Sequence, residues 1–88
     1  QEKGTVLLKS VVLKIEDIYV PAARRKELDP NKLEDVAEQI LEEHDDRPIQ
    51  VRKGDGRYVL VKGIHRLEAH RALGSTTIES YIVSAVQH

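Results

Sequence analysis

Gly63-Ile64-His65-Arg66 is the stretch of this chain whose residue types and order point most directly to a chemistry. Tyr58-Val59-Leu60-Val61 has strand character and runs through Lys62 into a lone glycine; a run of helix formers comes next and is closed by Gly74. The pattern predicts a strand, a tight turn and a short helix. The first turn of a helix presents N–H groups without an intrahelical partner at the positive end of the dipole. An anion over Gly63, Ile64, His65 and Arg66 would be held by those amides and by the basic side chains of His65 and Arg66, which makes the turn a candidate phosphate site. A plainer reading stands beside it: Gly63 only permits a sharp turn, and His65 and Arg66 only face water.

Other chemistries find less support. His65 and His70 lie five residues apart, so on one helix they diverge by about 140° and do not clasp one ion. His44 stands in another context and His88 is the last residue. The acidic cluster from Glu42 to Asp46 reads as a solvated helix end rather than a metal site, because carboxylates at a helix C-terminus are repelled by its dipole. Ser10, Ser75, Ser80 and Ser84 fall on strands or turns with no nucleophile elbow. Paired carboxylates for glycoside chemistry do not stand out among fifteen acidic residues. The Walker phosphate loop is missing.

The elements that would position the turn can be read in order. Thr5 to Ile15 is rich in β-branched residues and reads as one strand or two short ones, after a loose Gln1 to Gly4. Glu16-Asp17 interrupts the pattern before Ile18-Tyr19-Val20, and Pro21 ends any regular element there. Pro21 to Leu28 is then expected to be a loop carrying Arg24-Arg25-Lys26, the one run of three basic residues. Such a run is a solvated surface unless it lies beside the glycine turn, where arginine forks suit phosphate oxygens. Asp29-Pro30 is the clearest helix start, with Asp29 as N-cap and Pro30 at the first helical position. Leu33, Val36, Ala37, Ile40 and Leu41 form one apolar stripe along it, and the helix stops near His44-Asp45-Asp46. Ile49 to Arg52 and Arg57 to Val61 flank the turn residues Lys53-Gly54-Asp55-Gly56 as a β-hairpin. Ile78 to Val86 is a last strand. The order predicts a single α+β domain over residues 1–88, a small mixed β-sheet with helices packed on it.

Composition sets limits on function. The chain has 88 residues, enough for one small domain, and its hydrophobic content is 40%. Phe, Trp, Met and Cys are absent, so the core must be built from Val, Ile, Leu and Ala, and three tyrosines are the only aromatic side chains. Base stacking on an aromatic platform is therefore disfavoured. Without cysteine there are no disulfides, thiolate ligands or thiol catalysis. Fourteen basic and fifteen acidic residues give a formal charge of −1, unlike a domain that grips DNA through its phosphates. No apolar run approaches a membrane span and no signal peptide is visible, which fits a cytoplasmic setting. The chain opens on Gln1 rather than Met, as a processed or trimmed chain does.

Gly63-Ile64-His65-Arg66-Leu67-Glu68-Ala69 resembles the Gly-x-x-Arg-x-x-Ala box of the ParB N-terminal domain. Gly63, His65 and Arg66 are also similar to the Gly-Cys-His-Arg signature of sulfiredoxin, a family of the same fold. The resemblance extends to Ile15–Val20 as the early strand and turn, Leu28–Leu33 as the first helix start and Arg47–Val51 as the Pro-Ile-x-Val strand. It implies the ParB/sulfiredoxin fold, with a nucleotide or another phosphate-bearing ligand over the glycine turn. Phosphates would lie at Gly63, Ile64, His65 and Arg66, with Arg24 or Arg25 opposite and Lys32 near the rest of the ligand. The implied ligand is CTP, ATP or ADP with Mg²⁺, and no transition metal is implied. Lys32 by itself also reads as a solvent-facing lysine in a first helical turn.

One position departs from both families. ParB proteins usually carry Glu after the box glycine and sulfiredoxin its catalytic Cys; this chain has Ile64, which neither activates water nor attacks phosphorus or sulfur. The resemblance then implies a binding module for DNA partition or transcriptional regulation, reaching DNA through partners or additional domains, with a homodimer as a further expectation. An alternative is a phosphotransferase or nuclease on the same fold with Glu68 as base. A third is a protein-interaction domain with an idle site.

Overall fold

The computed structural model describes residues 10–43 and 47–83. The readings placed on Gln1 to Lys9, on the helix end and acidic cluster at His44 to Asp46, and on Ser84 to His88 lie outside the described residues. Five strands form one mixed sheet: β1 Ser10–Lys14, β2 Ile18–Tyr19, β3 Ile49–Lys53, β4 Tyr58–Lys62 and β5 Thr77–Ile82, in the order β1-β5-β3-β4-β2. β1 runs antiparallel to β5 and β3 antiparallel to β4, while β3 with β5 and β2 with β4 are parallel. Three α-helices accompany the sheet among the described residues: α1 Ala22–Arg25, α2 Pro30–Glu43 and α3 Ile64–Ala72.

The expected hairpin is present, and Gly54 N–H closes it on the Arg57 carbonyl at 2.7 Å. Its alternation places Ile49 and Val51 of the central strand β3 in the core. With them pack Ile15, Ile18, Val20, Leu60, Leu67 and Ile78, an aliphatic cluster, as the absence of Phe, Trp and Met requires. The hairpin is not regular throughout. Gln50 pairs with Lys62 and Val51 with Leu60, so Val61 is an extra residue bulging out of the ladder.

Two sequence expectations need correction. Ile15 belongs to a single 3₁₀ turn, Ile15–Asp17, rather than to the first strand, because its side chain turns into the core. Arg24 and Arg25 are not in a loop: Pro21 starts a helical turn, its carbonyl accepting the N–H groups of Arg24 and Arg25 at 2.9 and 3.1 Å. A proline stops the element before it but suits the start of the next, and Ala22-Ala23-Arg24-Arg25 are all good helix formers.

α2 begins as expected. The Asp29 carboxylate accepts the Asn31 N–H at 2.9 Å and the Asp29 carbonyl accepts that of Leu33 at 2.9 Å. Asp29→Ala is expected to cost about 1 kcal/mol of stability, the usual worth of such a cap, measured by urea unfolding. Its apolar stripe packs chiefly on α3, and no residue of α2 is fully buried.

α3 ends where the second glycine stands. Ser75 N–H reaches the His70 carbonyl at 2.9 Å and Gly74 N–H that of Arg71 at 3.1 Å, a Schellman pair with Gly74 left-handed at φ 90°. A Cβ on Gly74 would meet nothing within 4 Å. Gly74→Ala should therefore cost only the backbone term, about 1 kcal/mol, checked by thermal unfolding.

Candidate functional site

β4 delivers the chain to Gly63, which adopts φ 109° and ψ 34°, a left-handed conformation. A Cβ there would lie 2.8 Å from Ile49 Cγ2, so glycine is required both by the backbone and by the close approach of β3. Gly63 is the N-cap of α3 and its carbonyl accepts the Leu67 N–H at 2.9 Å. No side chain caps this helix among the described residues, so the amides of Ile64, His65 and Arg66 form an uncapped first turn.

The three side chains of that turn go separate ways. Ile64 is 4% exposed and belongs to the core, so over the glycine turn it offers only its amide. His65 is half-buried, and its Nε2 accepts the Asp29 N–H at 2.8 Å. An accepting Nε2 fixes a neutral ring with its proton on Nδ1. Arg66 is half-buried with Nη1 turned into the protein. The His65 contact was not anticipated from the sequence. It joins residues 36 positions apart and brings the start of α2 against the start of α3, so two positive dipole ends meet at one corner. His65→Ala is expected to lower stability by about 1 kcal/mol by leaving that N–H without its acceptor, read from the urea midpoint.

Arg24 also arrives at the glycine turn. Its Nη1 donates to the Val61 carbonyl at 3.3 Å, the residue that the bulge releases from the ladder two positions before Gly63. Nη2 pairs with Glu27 at 3.1 Å, which steadies the fork. Arg25, the next residue, instead lines a cavity beside Ile64, Glu68 and Arg71. Lys32 is exposed in the first turn of α2, one turn from the Asp29–His65 contact.

The remaining histidine and carboxylate candidates have local roles. His70 Nδ1 and Ser75 Oγ are 3.3 Å apart across the helix end. Glu68 Oε1 pairs with Arg71 Nε at 3.3 Å. Ser80 is fully buried and donates to the Ile78 carbonyl at 3.3 Å. Among the described residues no group of three or more His, Asp or Glu side chains is placed to hold a metal ion. No described helix is long and apolar enough to cross a membrane.

The profile of the family described as ParB N-terminal domain matches residues 1–88. The chain belongs to that family. This ParB-type domain is also 38% identical over 72 residues to the chloroplastic/mitochondrial sulfiredoxin of Arabidopsis thaliana, a match covering 82% of the chain and 58% of that relative. The chain therefore spans little more than half of the relative's length. The crystal structure of Arabidopsis sulfiredoxin superposes with a TM-score of 0.75 at 35% identity, covering 88% of this chain and 86% of that one. The C-terminally truncated chromosome-partitioning protein ParB from Caulobacter crescentus, complexed with CTP-γ-S, gives 0.73 at 26% identity, covering 90% of this chain and 46% of that one. A free serine kinase in complex with AMP gives 0.77 at 22% identity over 90% of this chain and 32% of that one, a likeness of fold alone. The mixed sheet and its helices thus have the ParB/sulfiredoxin-like fold that the glycine box implied. The resemblance to sulfiredoxin does not carry its thiol, since the chain has no cysteine.

Proposed function

We propose that this ParB-type domain is a binding module that holds the phosphates of a nucleotide at the corner where α2 and α3 begin. The observation that carries the reading is the Asp29–His65 hydrogen bond, which sets the two helix starts side by side next to the uncapped first turn of α3. Amides of Ile64, His65 and Arg66 then face the phosphates, and the Arg66 guanidinium, Arg24 on the Val61 carbonyl and Lys32 supply the cations. His65 acts first as scaffold, its Nδ1–H remaining as a donor. Nucleotides in solved proteins of this fold support the ligand class, and Mg²⁺ would enter with the nucleotide. Position 64 supplies no base or nucleophile, so the domain binds and does not turn over its ligand.

In this reading the module serves DNA partition or transcriptional regulation in the cytoplasm. A charge of −1 favours contact with DNA through partners or additional domains rather than through this surface. Calorimetric titration of CTP, ATP and ADP with Mg²⁺, with subsequent assay of the products, tests the proposal. Saturable binding of at least one nucleotide without hydrolysis is expected. Turnover would move the reading to the enzyme, and no heat with any of the three would end it.

A further inference from the structure

Beside the phosphate corner, on another flank of α3, lies an open cavity of about 450 Å³ whose lining suits a different ligand. At 100° per residue Glu68 and Arg71 fall within about 40° of Ile64 on the helix, whereas His65 and Arg66 lie about 100° and 160° away. The floor is apolar and buried, made by Ile18, Val20 and Ile64. Tyr19 and Leu28, two of the large apolar side chains the fold leaves exposed, form its rim. Tyr19 is held in place by the Arg57 guanidinium stacked 4.0 Å above its ring.

The charged groups at this cavity are two guanidiniums and one carboxylate. Glu68 is already engaged by Arg71 at 3.3 Å. The Arg25 side chain takes part in no hydrogen bond or ion pair among the described residues, and it stands at the cavity edge. A pocket of this size, with an apolar floor, a lining about half polar and one unengaged cation at its edge, has the makings of a small-ligand site. We infer that it takes a small monocarboxylic acid with a compact apolar body, the carboxylate on Arg25 and the body on Ile18, Val20 and Ile64. This site goes beyond the phosphate corner and does not depend on it.

The probe is phenylacetate, with phenylacetamide as its neutral counterpart, titrated into the ¹⁵N-labelled protein and monitored by amide chemical shifts. Saturable shifts at Tyr19, Leu28 and Glu68 are expected, with the amide binding about tenfold more weakly because it lacks the charge that Arg25 meets. Arg25→Ala, a change at an exposed side chain, should erase that difference while leaving the unliganded spectrum otherwise in place. The shifts should persist with ADP present, so failure of nucleotide binding leaves this test standing. Equal binding of acid and amide, shifts confined to Gly63 and Lys32, or no saturation would each overturn the inference.

Discussion

Gly63→Ala is expected to destabilise the domain by about 3 kcal/mol. Two separate terms contribute. An L-residue held at φ 109° costs about 1 to 2 kcal/mol. The new methyl would also stand 2.8 Å from Ile49 Cγ2 and 3.1 Å from Ile49 Cβ. Ile49 is 1% exposed on the central strand, between β5 and β4, so it can give way only by displacing packed neighbours. Overpacking of that kind adds about 1 to 3 kcal/mol. In a domain of this size the sum corresponds to a fall in Tm of more than about 10 °C. The comparison with Gly74→Ala isolates the steric term, since Gly74 has a similar backbone but open space around it. Equal losses at the two glycines would show that the approach of β3 to the turn contributes nothing.

Arg66→Ala should weaken binding of whichever nucleotide the domain takes by about 2 kcal/mol, or about thirtyfold in Kd, the scale of a hydrogen bond to a charged group. Arg66 is half-buried, so part of its side chain also packs, and Kd must be read well below the Tm of the variant. Arg66→Lys provides the second measurement. Lysine keeps the charge but loses the planar fork, so an affinity between those of the parent and the alanine variant is expected. A Kd unchanged by Arg66→Ala would count against the phosphate corner, whatever its effect on stability.

Much of the fold was legible from local patterns. Asp29-Pro30 marks the start of α2 because a carboxylate that accepts an early N–H and a residue without an N–H both suit that position. Gly63 and Gly74 bracket α3 because both ends of the helix need left-handed backbone. The alternation of Ile49 to Arg52 around a Gly-Asp-Gly turn needs no long-range information to read as a hairpin. The helical turn after Pro21 is not legible locally, because a proline signals both the stop of one element and the start of the next.

The site divides in the same way. The sequence alone determined that Gly63 would turn the chain into a helix start flanked by His65 and Arg66, that Ile64 would offer no catalytic group, and that no thiol chemistry was available. These features depend on residue type and on neighbours within one or two turns. Only the tertiary structure decided that Arg24 reaches the turn while Arg25 lines a different cavity, that a bulge frees the Val61 carbonyl for Arg24, and that His65 joins the start of α2. Those facts depend on strand order and on register between segments more than 30 residues apart. Side-chain pattern fixes which face of an element is apolar; the relative placement of two elements emerges only when the shared core closes around both.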